Sequence, residues 1–187
     1  NFFARLIPTS TPKLLVAFIH EKNAEISGWT YAHELGRMHL QQTFEDQIST
    51  TCYDNATEEN ADDLLAKAIA DGNNLIFTTS PPLLKASLKA AIEHPEVKIL
   101  NCSLNTSHRY IRTYYARMYE AKFLMGAIAG AMSKNGKIGY IADYPIFGMT
   151  ANINAFALGA KMVNPRAKVY LEWSTLKDHD VAKSFAE

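Results

Sequence analysis

Few residues in this sequence have the types and spacing that catalysis requires. His33 lies four residues after Trp29 and four residues before Arg37, so the three side chains would share one face of a helix. A catalytic imidazole needs a nucleophile or a carboxylate partner, and none is evident from the sequence. We therefore interpret His33 as a structural residue and predict that the protein is not an enzyme, with catalysis as the least favoured alternative.

The sequence also lacks a recognisable metal site. The histidines have no metal-ligand spacing such as HxxxH, and Cys52 and Cys102 are far apart with no CxxC pair. Each cysteine lies in or beside a predicted strand, where a reduced thiol packs as a small hydrophobic group. We predict two buried free thiols, no metal and no cofactor, with a disulfide or metal coordination as the alternatives for the cysteines.

The composition limits the class of protein. Hydrophobic residues make up 48% and charged residues 20% of the chain, which is the balance of an ordinary globular protein. The 19 basic residues equal the 19 acidic residues, so no basic field favours nucleic acid or anionic lipid as a partner. Phe123–Met132, the most apolar run, is far shorter than the roughly 20 residues of a membrane-spanning helix.

Short β-rich runs alternate with longer helical stretches along the chain. This alternation predicts an α/β fold with a parallel sheet and helices on both faces, in which the first four strands have the order 2-1-3-4. The predicted strands are 14–20, 48–53, 74–79, 97–102, 137–142 and 168–173. The predicted helices are 27–44, 58–71, 83–94, 117–132 and 149–163.

Three local signals refine these elements. Ser27 is the predicted N-cap of the first helix, and Gly72 ends the second. Gly126 and Gly130, with alanines between them, predict close packing of a helix against its neighbours. They do not belong to a phosphate-binding loop, because no GxGxxG or GxxxxGK[ST] motif follows a strand.

Ligands of parallel α/β sheets bind where the strands end in loops. This rule places the candidate site in residues 20–29, 78–83, 102–115 and 143–150. Thr79 and Ser80 end the third strand ahead of Pro81 and Pro82, and their hydroxyl and backbone N–H groups suit a polar or anionic ligand. Ordinary capping of the next helix by Ser80 is the alternative.

Four stretches carry a resemblance to a known family. They are 27-SGWTYAHELGR-37, 72-GNNLIFTTS-80, 119-YEAKFLMGAIAG-130 and 136-GKIGYIADYPI-146, and the last continues into 153-INAFALGA-160 and 163-VNP-165. In order and spacing, over about residues 14–175, this set resembles the basic membrane protein family. That family includes the purine nucleoside receptors of bacterial ABC importers.

The resemblance implies a type 1 periplasmic-binding-protein fold, in which two α/β lobes close on a ligand. A complete member is about twice the size of one lobe, so we expect this chain to be a fragment of a longer protein. Residues 1–13 would be a linker from an upstream segment, 14–110 the first lobe and 111–187 the start of an incomplete second lobe. Apolar surface exposed on that incomplete lobe could support a homodimer.

The resemblance also implies the residues of the ligand site. Trp29 lies where the family places a base-stacking aromatic ring, although a core Trp is the alternative. Thr30 departs from the nucleoside receptors, which commonly have Asn there, and a hydroxyl cannot read a base edge in a bidentate way. Tyr144 or Phe147 would supply a second ring on the opposite wall. The full set of implied ligand-binding residues is Trp29, Thr30, Thr79, Ser80, Tyr144, Ile146 and Phe147.

The implied function is binding of a small polar ligand, purine or nucleoside-like, by the receptor component of an ABC importer. Such a receptor is an extracytoplasmic lipoprotein at the plasma membrane and has an ABC permease as its partner. The alternative is a ligand-sensing domain of a cytoplasmic regulatory protein. This alternative rests on the lack of a visible signal peptide or lipobox cysteine, and on residues 1–12, which look like the edge of a preceding folded element.

Overall fold

The computed structural model describes residues 13–103, 107–143, 145 and 148–174. The chain divides between Tyr115 and Ala116 into two compact units. Parallel strands and helices build both units, which confirms the expected α/β class. The expected lobe limits, 14–110 and 111–187, remain a prediction.

A five-stranded sheet forms the centre of the first unit. All neighbouring strands are parallel, and their order is β2-β1-β3-β4-β5. The predicted order of the first four strands is therefore confirmed. The strands are β1 (Leu14–Ile19), β2 (Ile48–Tyr53), β3 (Leu75–Thr78), β4 (Lys98–Cys102) and β5 (Arg112–Tyr114).

Strand β5 was not predicted from the sequence. It contains only three residues, Arg112, Thr113 and Tyr114, so it has neither an apolar run nor enough length for alternation to be visible. These residues form a strand because they pair with β4, where Cys102 lies opposite Tyr114. The segment between β4 and the second unit is thus partly a strand at the edge of the sheet.

The described residues of the first unit form the α-helices α1 (Gly28–Phe44), α2 (Ala61–Ala70) and α3 (Leu84–Glu93). As predicted, Ser27 caps α1, because its hydroxyl accepts a hydrogen bond from the backbone N–H of Thr30 at 3.2 Å. Helix α2 begins later than the predicted residue 58, since Thr57 and Asn60 bond each other's backbone N–H groups in a turn. Gly72 follows α2 with a left-handed φ of 89°.

The two faces of β1 have different partners because successive side chains of a strand point to opposite sides. Ala17 and Ile19 join the main core together with Leu65 of α2 and Ala90 of α3. On the other face, Phe18 stacks on Phe77 with ring centroids 4.9 Å apart. His20 lies just past the end of β1, two residues after Phe18 and therefore on the same face, and it contacts α1. Helices therefore cover both faces of the sheet, as predicted.

The second unit contains α4 (Met118–Met132), β6 (Lys137–Ala142), α5 (Met149–Val163) and β7 (Lys168–Trp173). Strands β6 and β7 pair in parallel, with Lys137 opposite Lys168 and Ala142 opposite Trp173. A small apolar core forms around Tyr140 and Phe156, whose rings meet edge to face at 5.0 Å. These elements agree closely with the predicted bounds.

Helices α4 and α5 approach each other at the level of their backbones. A Cβ atom on Gly126 would overlap the backbone of Phe156, and one on Gly159 would overlap the backbone of Phe123. The predicted packing role of the small residues in α4 is therefore confirmed. Within the described part of the chain, no helix is long and apolar enough to cross a bilayer.

Helices α4 and α5 expose large apolar side chains. Met132 exposes 74% of its surface and Leu124 64%, far more than a residue in a packed core. The other strongly exposed apolar residues of these helices are Met125, Ile128, Leu158 and Met162.

Candidate functional site

The candidate site lies at the carboxyl edge of the five-stranded sheet. The strands are parallel and in register, so the residues that follow them are brought to one edge. His20 follows β1, Thr79 and Ser80 follow β3, and Ser103 follows β4. The first turn of α1, which contains Trp29 and Thr30, begins on the same side because α1 is entered from the end of β1.

A hydrogen bond fixes one edge of the Trp29 ring, and part of the side chain is exposed to solvent. Its indole N–H donates a 2.6 Å hydrogen bond to the carbonyl oxygen of Thr79. Its ring lies 5.2 Å from the ring of His33 and 6.1 Å from that of Tyr115, the latter tilted by 34°. With 38% of its surface exposed, Trp29 is not a core residue. This arrangement presents an oriented aromatic ring to solvent.

His33 supports Trp29 from the next turn of α1. Its Nδ1 lies 3.0 Å from the carbonyl oxygen of Trp29, and because a carbonyl only accepts, Nδ1 carries the hydrogen. The His33 ring also meets Tyr114 edge to face at 6.3 Å. These contacts agree with the structural role inferred for His33 from its spacing.

Thr30 and Thr79 are almost fully buried, at 2% and 1% exposure. Thr30 lies in the capped first turn of α1. The hydroxyl of Thr79 lies 2.9 Å from His20 Nδ1 and 3.0 Å from the carbonyl oxygen of Ile19. Both threonines therefore shape the edge of the sheet from beneath, and direct ligand contact by either stays a prediction.

Three buried side-chain oxygens near the ends of β3 and β4 lack hydrogen-bond partners among the described residues. They are Ser80 Oγ, Asn101 Oδ1 and Ser103 Oγ. The amide nitrogen of Asn101 donates to Thr78 Oγ1 at 2.9 Å and to the Ser80 carbonyl at 2.8 Å, which fixes its Oδ1 as an open acceptor. An unsatisfied buried polar group costs about 1–3 kcal/mol, so these oxygens favour a polar partner.

Ser80 does not cap the following helix through its side chain. The 3-10 turn Pro81–Leu83 that follows has no side-chain cap, and α3 begins only at Leu84. Ser80 therefore occupies the N-cap position of this turn without the side-chain bond of an ordinary helix cap, since Pro81 and Pro82 have no N–H to donate. Its hydroxyl is left for another partner.

A second polar cluster lies beneath Trp29 and joins β1, α1 and β2. His20 Nε2 lies 3.1 Å from Glu34 Oε1, and the Cys52 thiol donates to the same oxygen at 2.9 Å. Arg37 clamps the carboxylate, with Nε 3.0 Å from both oxygens and Nη2 2.8 Å from Oε2. The other end of the guanidinium donates to Thr50 Oγ1 at 2.8 Å.

The protonation states in this cluster follow from its contacts. Burial raises the pKa of Glu34, but hydrogen bonds from Arg37, Cys52 and His20 outweigh burial and lower that pKa to about 2. Burial and the hydrogen bond to Glu34 raise the pKa of the Cys52 thiol to about 12. Burial also lowers the pKa of His20 below its usual value, against the opposing effect of Glu34. At neutral pH the cluster contains one carboxylate and one guanidinium.

His20, Glu34 and Cys52 bring one nitrogen, one oxygen and one sulfur within 4.8 Å of each other, a donor set that suits zinc. However, Glu34 is already paired with Arg37, and the thiol must lose its proton before it can bind a metal. The guanidinium charge also opposes a second cation. We therefore interpret the cluster as a hydrogen-bonded network. Both cysteines are free thiols, as predicted, but only Cys102 is buried as expected, whereas Cys52 is half-buried.

The sequence missed several of these residues. Ser103 lies inside the predicted segment 102–115, but Asn101 lies just before it and was not singled out. Glu34 and Arg37 are spaced for a pair on one helix face, which was readable. Their link to His20 and Cys52 depends on the pairing of β1 with β2 and was not readable. Tyr144, Ile146 and Phe147 lie outside the described residues.

Solved structures share this fold. A solute-binding protein of an ABC transporter system from Aeropyrum pernix K1 matches with a TM-score of 0.68 and 19% identity, covering 86% of this chain and 47% of that chain. A transcriptional activator of the comK gene from Bacillus halodurans matches with a TM-score of 0.67 and 18% identity, covering 92% and 58%. At such identities the matches establish the periplasmic-binding-protein-like fold alone.

Relatives identified by sequence give the family. A purine-binding protein of Brucella abortus is 34% identical over 181 residues, which cover 94% of this chain and 52% of the relative. A putative ABC transporter glucose-binding protein of Haloferax volcanii is 26% identical over 167 residues, covering 89% and 42%. The chain thus spans about half the length of these curated relatives. A family model described as ABC transporter substrate-binding protein, PnrA-like, matches residues 13–187, and the chain belongs to that family.

Proposed function

We propose that this chain binds a purine or nucleoside-like ligand at the carboxyl edge of its five-stranded sheet, as part of the receptor of an ABC importer. The observation that carries the proposal is the half-open ring of Trp29 beside a sheet edge with buried, unpaired oxygens. A flat aromatic face accepts a base by stacking, which contributes about 1–3 kcal/mol. Open oxygens suit the amino and ring N–H donors of a purine.

The proposal assigns distinct roles to the residues. Trp29 stacks on the base, and Ser80, Asn101 and Ser103 bond to its polar edge. Thr30 and Thr79, which are as buried as these three side chains, are proposed as further contacts at the same edge of the sheet. Tyr144, Ile146 and Phe147 are proposed as further ligand contacts on the strength of the family resemblance.

Two relatives support different ligands, which makes ligand class the first question to test. One is named as a purine-binding protein and the other as a glucose-binding protein. An aromatic ring stacks on a sugar as well as on a base, so Trp29 alone does not separate them. The greater identity to the purine-binding relative favours the purine.

The deciding experiment is isothermal titration calorimetry of the full-length protein with adenine, adenosine, guanosine, inosine and glucose. We expect saturable binding of at least one purine and none of glucose at the same concentrations. Binding of glucose alone would replace the purine in the proposal with a sugar. Absence of binding by all five compounds would refute the proposed ligand classes.

We further propose that the complete protein is extracytoplasmic, anchored as a lipoprotein at the plasma membrane, with an ABC permease as partner. Membership of the substrate-binding family supports this proposal over the alternative of a cytoplasmic sensor. The transcriptional activator among the solved structures is only 18% identical to this chain, so the match supports the fold and not a sensor function. Fractionation of cells after metabolic labelling with a fatty acid tests it, and an unlabelled protein in the cytoplasmic fraction would favour the sensor.

Formation of a homodimer is a separate proposal, tested by analytical ultracentrifugation.

A further inference from the structure

A continuous chain of hydrogen bonds leads from a charged pair on α1 to the ring of Trp29. Arg37 clamps Glu34, Glu34 faces His20 Nε2, and His20 Nδ1 faces the hydroxyl of Thr79. The carbonyl of Thr79 then accepts the indole hydrogen of Trp29 at 2.6 Å. We call these five residues, Arg37, Glu34, His20, Thr79 and Trp29, the Trp29 relay.

The direction of each bond follows from which atoms can donate. Glu34 is ionised and only accepts, so His20 Nε2 carries a hydrogen. In the neutral ring Nδ1 then has a lone pair and accepts the hydroxyl hydrogen of Thr79. The Ile19 carbonyl, which accepts the backbone N–H of Thr79 at 3.0 Å, lies 3.0 Å from the same hydroxyl and has a second lone pair, so it competes with the bare Nδ1 for the single hydroxyl hydrogen. Thr79 is thus fixed from its backbone and from its side chain.

Protonation of His20 would reverse one bond of the relay. With hydrogens on both ring nitrogens, Nδ1 would donate to Thr79, whose own hydrogen would turn to the Ile19 carbonyl at 3.0 Å. The titratable or charged groups around His20 are Glu34, Arg37 and His33 from α1, Cys52 from β2 and Asp54 just after it. Glu34 and Asp54 favour the charged ring, whereas burial and His33 oppose it.

We propose that Glu34 and His20 are positioning residues for the ligand site, which hold Thr79 and through its carbonyl the ring of Trp29. This inference rests on the proposed stacking role of Trp29. Neither residue needs to contact the ligand, since His20 is fully buried. The negative charge of Glu34 selects the His20 tautomer, and the tautomer fixes the hydroxyl of Thr79. A change at Glu34 should therefore reach Trp29 through two intervening residues, His20 and Thr79.

A first experiment needs no ligand. NMR of the full-length protein with ¹⁵N-labelled histidine should find hydrogen on Nε2 and a bare Nδ1 in His20 at neutral pH. Glu34→Gln should lower the pKa of His20 further, because it removes the charge that favours the imidazolium. It should also shift the Trp29 emission, obtained as the difference between matched proteins with Trp29 and with Trp29→Phe. Glu25→Gln, an exposed residue just before α1, is the control and should change neither signal.

A second experiment measures affinity for whichever purine the wild type binds. Glu34→Gln and Thr79→Val should each weaken binding about tenfold, a common size for coupling between separate positions. Thr79→Ser, which keeps the hydroxyl, should restore affinity to within about twofold. Thr51→Val, an exposed threonine of β2, should bind like the wild type.

The two experiments separate this inference from the proposed function. If the wild type binds no purine, the proposed function fails, and the NMR and emission results still decide whether the relay exists. An Nδ1–H tautomer of His20, or unchanged His20 pKa and Trp29 emission in Glu34→Gln, overturns the relay. Equal affinity of the Val and Ser variants of Thr79 overturns it too. If Glu34→Gln does not fold, the Thr79 pair carries the test.

Discussion

The indole nitrogen of Trp29 and the carbonyl oxygen of Thr79 are joined by a 2.6 Å hydrogen bond, although fifty residues separate them in the chain. The bond connects the first turn of α1 to the loop after β3. It fixes the edge of an aromatic ring that is otherwise 38% exposed. A ring that is held at one edge and open on its surface is pre-ordered for a flat partner, so less ordering entropy is lost on binding.

The first prediction concerns this ring. Trp29→Ala should weaken purine binding by about 1–3 kcal/mol, the contribution of one stacked base. Trp29→Phe keeps a stacking face but loses the indole donor, and should give an intermediate affinity. Calorimetry measures both, and Trp173→Phe is the matched control. If Trp29→Ala instead lowers the free energy of unfolding by about 3–5 kcal/mol and leaves purine affinity unchanged, Trp29 is a core residue.

The second prediction uses the unpaired oxygens. Ser103→Ala removes a buried hydroxyl that has no partner among the described residues, so the free energy of unfolding should stay the same or rise. Ligand affinity should nevertheless fall. Ser87→Ala is the contrasting variant, because its hydroxyl bonds Thr78 and Leu83 at 2.8 and 2.7 Å, and its loss should destabilise the fold by about 1 kcal/mol. Chemical denaturation together with calorimetry tests the contrast. A destabilised Ser103→Ala with unchanged affinity would contradict the assignment.

The third prediction concerns the stability of the fold in acid. The folded-state pKa of Glu34, about 2, lies below its ordinary value of 4.5, so Glu34 stabilises the fold above pH 4.5 and this contribution is lost as the pH falls from 4.5 towards 2. Glu34→Gln should be less stable than the wild type at neutral pH. Its unfolding free energy should also change less across that acid range. Urea denaturation at several pH values measures both effects, and parallel curves for the two proteins would contradict the prediction.

The fourth prediction concerns thiol reactivity. Burial and the Glu34 hydrogen bond raise the pKa of Cys52 to about 12, and burial raises that of Cys102 to about 11. Both thiols should react slowly with a thiolate-selective reagent at pH 8. Glu34→Gln removes the charge that stabilises the Cys52 thiol form, so Cys52 should react faster while Cys102 does not change. Mass spectrometry of labelled peptides distinguishes the two sites. Fast labelling of Cys52 in the wild type would show that the Glu34 contact is absent in solution.

The fifth prediction concerns the helix pair of the second unit. Gly159→Ala would place a methyl group against the backbone of Phe123, where no flexible side chain can yield, and should lower the unfolding free energy by about 1–3 kcal/mol. Gly36→Ala in α1 is the control, because nothing lies within 4 Å of its added methyl group. That variant should stabilise the fold by up to about 1 kcal/mol through helix propensity. Thermal unfolding compares the two, and equal effects would mean that the helices do not touch at Gly159.

The sequence was sufficient for the sheet because each long strand carries its own signal. Dense apolar runs such as Val16–Ile19 and the breaks at Gly72 and Pro81 are local, and local signals fix element type and order. Strand β5 could not be predicted because its three residues form a strand only through their pairing with β4. Helix α2 was predicted too long because the Thr57–Asn60 turn competes with the helix for the same backbone groups.

The site was less accessible to sequence reasoning. Trp29 and Thr79 were named separately, by family resemblance and by position at a strand end, but nothing in the sequence indicated that they bond each other. The network of His20, Glu34 and Cys52 needs three elements to be assembled in one sheet before its members meet. Hydrogen-bond pairing across 14 to 59 residues is decided by strand register and not by local pattern.

The position of β1 in the sheet has a consequence for biosynthesis. Among the described strands β1 comes first in the chain, yet its neighbours β2 and β3 both follow it, so one side of its backbone waits for residue 53 and the other for residue 78. At about 5–20 residues per second, Val16–Ile19, among the most buried segments of the fold, lacks its β3 partner for several seconds. We expect a chaperone to bind an apolar segment that waits this long, and a photocrosslinker at Phe18 of a stalled nascent chain should capture one there.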